Sequence, residues 1–179
     1  MRKDVWIFGY GSLLWKVDFP YVDKKRAYVL GWSRRFYQGS TDHRGIPESP
    51  GRVVTLIHSQ NHRCWGLAYR LPEETLECTL SALDYRERGG YERLEVELFL
   101  DSGKKVSGIT YFADTTNTNF LGGADAAEIA SQILSSRGPS GDNLEYLLCL
   151  EKALKTLGIR DPHILDIADA ARTMRADRT

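Results

Sequence analysis

Tyr91-Glu92-Arg93-Leu94-Glu95-Val96-Glu97-Leu98-Phe99-Leu100, or YERLEVELFL, decides the fold class of this 179-residue chain. Leu94, Val96, Leu98 and Leu100 fall on one face, with Arg93, Glu95 and Glu97 on the other. That alternation is the period of a half-buried strand, not of a helix. Asp101-Ser102-Gly103 follows as a turn and Val106 to Ala113 as a second apolar run, so the pair predicts a hairpin.

Upstream, four more segments read as strands: Val5 to Tyr10, Ala27 to Trp32, Arg52 to His58 and Cys64 to Leu71. Helical spacing appears from Pro72 to about Arg88, where Gly89-Gly90 stops it. Asp125 and Glu128 form a capping box that opens a helix ending near Gly138. Leu144, Leu147, Leu148 and Leu154 mark another, closed by Gly158, and Asp161-Pro162 reads as N-cap and first residue of a last helix. Many strands with few crossover helices predict an α+β fold: a small, mostly antiparallel β-barrel with helices packed outside it. No repeat or long linker interrupts the chain, so residues 1–179 are expected to form one domain.

Composition sets the outer bounds. Apolar residues make up 42% and charged residues 27%, ordinary for a globular protein. Lys plus Arg equals Asp plus Glu at 24 each, so no overall field draws the chain to nucleic acid or anionic lipid. Met1-Arg2-Lys3-Asp4 lacks the apolar core of a signal peptide, and no run reaches bilayer length. Cys64, Cys78 and Cys149 have no metal-ligand spacing and are odd in number, so a reduced, cytosolic protein is expected.

Val5-Trp6-Ile7-Phe8-Gly9-Tyr10-Gly11-Ser12-Leu13-Leu14-Trp15 is the first chemical candidate. A dinucleotide fingerprint needs a third glycine where Leu14 stands, and a P-loop needs a Gly-Lys-Ser/Thr ending that is missing. The nucleophile elbow fails too, with Tyr10 and Leu14 flanking Ser12 at the glycine positions. A serine nucleophile would need a histidine brought to it by the fold, with His43 the candidate. Two further readings stay open. In one, the glycines take positive φ in a strand-end turn and Ser12 caps a short helix. In the other, the N–H groups of Tyr10 to Leu13 face a ligand carboxylate or a developing oxyanion.

The helix PEETLECTLSALDYRERGGY supplies the second candidate. Leu76, Leu80 and Leu83 form an apolar stripe whose next member is Glu87. A carboxylate there is either paired with an arginine, left in solvent beyond the helix end, or held for acid–base work. Desolvation and the negative helix end both favour the protonated form of such a group. Asp84 lies on the flank of the stripe and reads as structural.

FGYGSLLWKVDFPY, SRRFYQGSTDHRGIPESPGRVVTL, WGLAYRL, LDYRERGGY and GPSGDNLEYL follow one another in this chain as in the ChaC family, which it resembles from about Val5 to Leu150, and most closely in its short eukaryotic members. These are glutathione-specific γ-glutamylcyclotransferases. The resemblance implies a small mixed barrel with surrounding helices, places the catalytic glutamate at Glu87, and makes Tyr10, Gly11, Ser12 and Leu13 the loop that holds the γ-glutamyl group. Ile7, Phe8 and Gly9 lead into that loop and are carried with it as substrate-binding residues. Where relatives read Leu-Gly-Pro-Ala-Pro, this chain has Leu121-Gly122-Gly123-Ala124-Asp125, a change expected to loosen the loop. Cys78 stands where many relatives carry an acid. The C-terminal helix, residues 161–175, lies beyond the match and receives no role.

The implied reaction is cyclisation of glutathione to 5-oxoproline and cysteinylglycine, chemistry that calls for no metal, nucleotide or redox cofactor. Glu87 would serve as base and then acid. Glutathione has two carboxylates, for which Arg34, Arg35, Arg44 or Arg52 are the candidate cations; Arg44 is carried as the site residue. The alternative for each arginine is solvated surface charge. Tyr146 offers a phenol or simple core packing, and His43 and Cys149 read as structural. A cyclotransferase for other γ-glutamyl compounds, or a silent γ-glutamyl-binding module, remains the competing reading. No nucleic-acid, membrane or protein partner is indicated.

Overall fold

A computed structural model describes residues 4–87 and 89–177. Its elements run β1 (Trp6–Gly9), a 3-10 turn (Ser12–Leu14), β2 (Asp23–Ser40), β3 (Gly51–Arg70), a second 3-10 turn (Glu73–Thr75), α1 (Leu76–Glu87), β4 (Glu92–Leu100) and β5 (Lys105–Phe112). They continue through α2 (Ala126–Ser135), β6 (Arg137–Gly138), β7 (Gly141–Asp142), α3 (Asn143–Thr156) and α4 (Pro162–Ala176). Contacts divide the chain into two compact units, Met1–Ser33 with Leu56–Asp114 and Arg34–Thr55 with Thr115–Thr179.

The first unit carries most of the barrel strands, which close in the order β1-β3-β2-β4-β5. The hairpin read from YERLEVELFL is its clearest part: β4 and β5 pair antiparallel from Glu92↔Phe112 to Phe99↔Lys105. Gly103 takes φ +85 in the turn, a value that suits glycine. β1 pairs antiparallel with β3, and parallel with β5 at Trp6↔Gly108 and Ile7↔Ile109, which makes the barrel mixed. On β4, Leu98 and Leu100 are buried while Arg93, Glu95 and Glu97 are exposed, as the alternation requires. Ile7, Leu71, Leu83 and Tyr111 form a buried cluster, with Leu13, Phe19, Leu76, Leu80, Tyr91 and Ile109 packed against it. The apolar stripe of α1 is thereby joined to β1 and β5.

Three expected boundaries change. Arg52–His58 and Cys64–Leu71 merge into one strand, β3, which ends one residue earlier at Arg70, and Ala27–Trp32 lies inside the longer β2. The polar segment between the first two is not a break: Asn61 absorbs a left-handed φ of +65 while the strand continues. Asparagine tolerates that region better than most residues. The helix expected from Pro72 begins as a 3-10 turn and becomes α-helical at Leu76; Arg88, its expected end, lies outside the described residues. Tyr91 N–H and Gly90 N–H reach the Glu87 carbonyl at 2.9 and 3.3 Å, and Gly90 takes φ +141, so the glycine pair turns the chain into β4.

The second unit is mostly helical. Asp125 and Glu128 form the expected capping box at the start of α2. α2 ends at Ser135, short of Gly138, because Arg137–Gly138 instead pairs with Gly141–Asp142. α4 packs on both α2 and α3. Asp161 caps α4, its carboxylate accepting from Ile164 N–H, with Pro162 in the first turn. Ile129, Ile133, Leu147, Leu150, Ile164 and Ile167 are buried, so the last helix supplies core to this unit.

Candidate active site

The loop after β1 is fixed from several sides within the first unit. The Tyr10 hydroxyl donates to the Tyr111 carbonyl at 2.7 Å, and the Tyr69 hydroxyl donates to the Leu13 carbonyl at 2.5 Å. Phe19 and Tyr21 stand edge-on to the Tyr69 ring, and burial pushes the Tyr69 phenol well above its ordinary range, so it stays a donor. Gly9 is needed by the loop itself, because a Cβ there would stand 2.6 Å from Leu13 Cβ. Ile7 and Phe8, the residues leading into it, are 0% and 1% exposed, with Ile7 in the buried cluster.

The expected turn geometry is corrected in two respects. Neither Gly9 nor Gly11 has positive φ; Gly11 sits at φ −121 as N-cap of the 3-10 turn. Ser12 does not cap that turn but is its first residue. The first N–H groups of any helical turn lack intrahelical acceptors. Among the described residues, the N–H groups of Gly11, Ser12 and Leu13 have no backbone acceptor, while those of Leu14 and Trp15 return to Gly11 and Ser12 carbonyls.

Glu87 is the last residue of α1, and its side chain is 22% exposed. It continues the sequence spacing of Leu76, Leu80 and Leu83. Arg86 Nε lies 3.4 Å from Glu87 Oε1, while Arg86 Nη2 donates to Ser12 Oγ at 3.0 Å and Nη1 to Asp18 Oδ1 at 3.2 Å. One guanidinium therefore joins the loop serine to the helix-end carboxylate. It also settles what Ser12 faces: a permanent cation, with no capacity to accept a proton. His43, the base that a serine nucleophile would need, partners Ser140 and Asp42.

One turn before Glu87, Asp84 accepts from the Tyr111 hydroxyl at 2.5 Å and from both Nε and Nη2 of Arg93. The bond from Tyr111, together with Arg93, holds the Asp84 carboxyl below its ordinary range. Asp84 is thus structural, as the stripe suggests. It ties α1 to both strands of the hairpin, and Tyr111 in turn accepts from Tyr10.

The second unit holds the other expected residues. Arg44 donates to Glu145 at 2.8 Å and to the Asp142 carbonyl at 3.0 Å, with its guanidinium 5.9 Å from the Tyr146 ring centre. Tyr146 is 7% exposed; its hydroxyl accepts from Val54 N–H at 3.4 Å and its ring meets Phe36 edge-on. Arg34 and Arg52 are corrected from solvated charges to buried ones, 2% and 7% exposed. Each has partners that make burial tolerable. Arg34 pairs with Asp161 at 2.8 Å. Arg52 donates to Gln132 and to the Phe36 and Gly122 carbonyls, while its backbone exchanges two hydrogen bonds with Asn143. Arg35 donates to the Arg34 carbonyl at 2.8 Å.

The same network corrects the expectation for Leu121-Gly122-Gly123-Ala124-Asp125. The Leu121 and Gly122 N–H groups both donate to the Tyr37 carbonyl, Gly122 takes φ +72, and Asp125 supplies the capping box. The loop is pinned without its prolines. Sequence reasoning missed Arg86, Tyr69 and Tyr111. Only Arg86 had a signal, its position next to a carboxylate of uncertain purpose.

Among the described residues, no cluster of His, Cys, Asp and Glu could hold a metal ion, and no helix is long and apolar enough to cross a membrane. Cys64, Cys78 and Cys149 form no disulfide. A family model described as ChaC-like protein matches residues 5–174, which includes nearly all of α4. A human relative, glutathione-specific gamma-glutamylcyclotransferase 1, is 43% identical across 95% of this chain and 79% of its own. Gamma-glutamylcyclotransferase 2-3 of Arabidopsis thaliana is 42% identical across 94% of this chain and 88% of its own. The crystal structure of a yeast γ-glutamyl cyclotransferase specific to glutathione superposes with a TM-score of 0.89 at 30% identity, covering 96% of this chain and 97% of that one.

Proposed function

We infer that this chain, which belongs to the ChaC-like family, is a glutathione-specific γ-glutamylcyclotransferase. The free α-amine of glutathione attacks its own γ-glutamyl carbonyl, forming the five-membered lactam of 5-oxoproline and releasing cysteinylglycine. Holding amine and carbonyl together is a large part of the catalysis, since well-placed intramolecular reactions reach effective molarities of ~10⁵–10⁸ M.

Glu87 takes the proton that the α-ammonium must lose and returns one to the departing cysteinyl nitrogen. The N–H groups of Gly11, Ser12 and Leu13 orient the glutamyl group and share the negative charge that develops on the carbonyl oxygen. Ser12 is a hydrogen-bonding group and not a nucleophile. Ile7, Phe8 and Gly9 serve the site from below, by seating the loop on the barrel, and Tyr10 anchors it through Tyr111. Arg44 is assigned to a substrate carboxylate, with Tyr146 beside it. The reaction belongs with the glutathione pool of the cytosol.

The observation that supports this reading is the single guanidinium shared by Ser12 and Glu87, which joins the loop after β1 to the end of α1 in one polar cluster. Incubation with reduced glutathione, oxidised glutathione and γ-glutamyl-alanine tests it, with 5-oxoproline as the measured product. Release from reduced glutathione alone is expected; comparable release from γ-glutamyl-alanine overturns the substrate assignment. Glu87→Gln keeps shape and loses proton transfer, so turnover should vanish while glutathione still binds.

A further inference from the structure

Arg86 lies next to Glu87 in sequence, a spacing at which helix side chains ordinarily do not face each other. The contact exists because Arg86 turns toward the loop after β1, where Nη2 meets Ser12 Oγ at 3.0 Å. From that position Nε falls 3.4 Å from Glu87 Oε1, and Nη1 meets Asp18 3.2 Å away. Each guanidinium nitrogen serves a different partner, and the side chain is 26% exposed.

Two consequences follow from donor and acceptor arithmetic. Arginine only donates, so Ser12 Oγ is the acceptor in their bond, and the Ser12 proton has to point away from Arg86. A hydroxyl held this way presents its proton to whatever the loop binds. The planar fork also fixes the angle between its two contacts, so the loop and the carboxylate hold a set separation. Lysine, a point charge on a flexible stem, reproduces neither feature.

We propose that Arg86 is a positioning residue of the cyclisation: it holds Ser12 as a hydrogen-bond donor toward the γ-glutamyl group and keeps Glu87 in register with that group. The proposal rests on the cyclotransferase reading given above. It adds a residue that touches neither substrate nor reacting atoms but acts through two that do.

Full-length Arg86→Ala, Arg86→Lys, Ser12→Ala and the double variant Arg86→Ala/Ser12→Ala are assayed for 5-oxoproline release from reduced glutathione, with Glu87→Gln as reference and thermal melting as the check on folding. Arg86→Ala should lose roughly 10- to 100-fold in kcat, the range expected when a charged hydrogen bond disappears. Guanidinium ion at low millimolar concentration should restore part of that rate, and Ser12→Ala should cost little more in the Arg86→Ala background. Arg86→Lys, which retains the charge, should remain at least several-fold impaired. Arg86→Ala activity within twofold of the parent, additive losses in the double variant, or no rescue of a folded Arg86→Ala overturns the proposal. Should Arg86→Ala not fold, Arg86→Lys decides alone: full activity rejects the proposal and impairment without loss of melting temperature supports it. A Glu87→Gln protein that still turns over glutathione would reject the underlying reading instead, an outcome distinguishable from all of these.

Discussion

The Tyr69 hydroxyl donates to the Leu13 carbonyl across 2.5 Å, binding the loop after β1 to β3. Leu13 and Tyr69 are 56 residues apart, so this bond forms only when the barrel is built. Tyr69 is buried, and its removal as donor leaves a carbonyl with one partner fewer. Tyr69→Phe should cost about 1 kcal/mol of stability, the usual net worth of such a bond. Its effect on turnover should be larger than that, because the loop also positions the proposed N–H cradle. Denaturant unfolding gives the first quantity, and kcat/KM for glutathione gives the second. Unchanged kcat/KM would mean that the loop keeps its geometry without the bond.

Asp84 is a second positioning point, one helical turn before Glu87. Its carboxylate takes the Tyr111 hydroxyl and the Arg93 guanidinium together. Asp84→Ala removes both, and the C-terminal half of α1 then loses its tie to the β4–β5 hairpin. Asp84→Asn retains shape and one acceptor oxygen. The expected order of 5-oxoproline release is parent, then Asp84→Asn, then Asp84→Ala, with the last lower by about 10-fold or more. Equal rates for all three would remove Asp84 from any part in placing Glu87.

The barrel was legible in YERLEVELFL and its neighbours because alternation over ten residues has one physical reading. β3 was less so, since nothing in Ser59-Gln60-Asn61-His62 reveals that Asn61 will accept a left-handed φ within a strand. Gly9 and Gly11 were readable as special positions, but not for the right reason. Gly9 is small because Leu13 folds back over it, a contact that depends on the loop's three-dimensional course. Glu87 stood out because a carboxylate broke an apolar stripe. Arg86 did not stand out, because its meeting with Ser12 joins positions 74 residues apart. The buried Arg34 and Arg52 were misread for the same reason: their partners Asp161, Gln132 and Asn143 come from distant helices.

Arg34 and Asp161 test what the last helix contributes. The pair lies at 2.8 Å, with side chains 1% and 14% exposed, and Asp161 also caps α4. Breaking a buried pair by removing one member typically costs about 3–5 kcal/mol. Asp161→Ala loses both pair and cap and should fall in that range. Asp161→Asn keeps a capping oxygen and gives up the charge, so its loss should be smaller. Urea unfolding of the two variants measures the difference. Equal, small losses would show that Arg34 finds other compensation.

His163 gives the fold of the second unit an acid sensitivity. Its Nε2 accepts the Phe36 N–H at 3.0 Å, and its ring lies among Phe36 and Tyr37. Burial, aided by Arg35 and Arg34 and opposed by Asp161 and Asp166, brings its pKa down to about 4. In the unfolded chain the value returns to the ordinary 6.5 or so. Between about pH 6.5 and 4 the unfolded chain therefore holds a proton that the folded chain lacks, and stability falls as pH falls through this window. Above it His163 contributes no slope. The contribution is on the order of 2 kcal/mol once the ring's partial exposure is allowed for. His163→Gln retains an acceptor for Phe36 and cannot titrate, so it should lose this part of the acid slope while the carboxylates keep theirs. Unfolding free energies at pH 7.5, 6 and 5 should fall further for the parent than for the variant as the medium is acidified; parallel curves would show that His163 binds its proton equally well in the folded and unfolded chain.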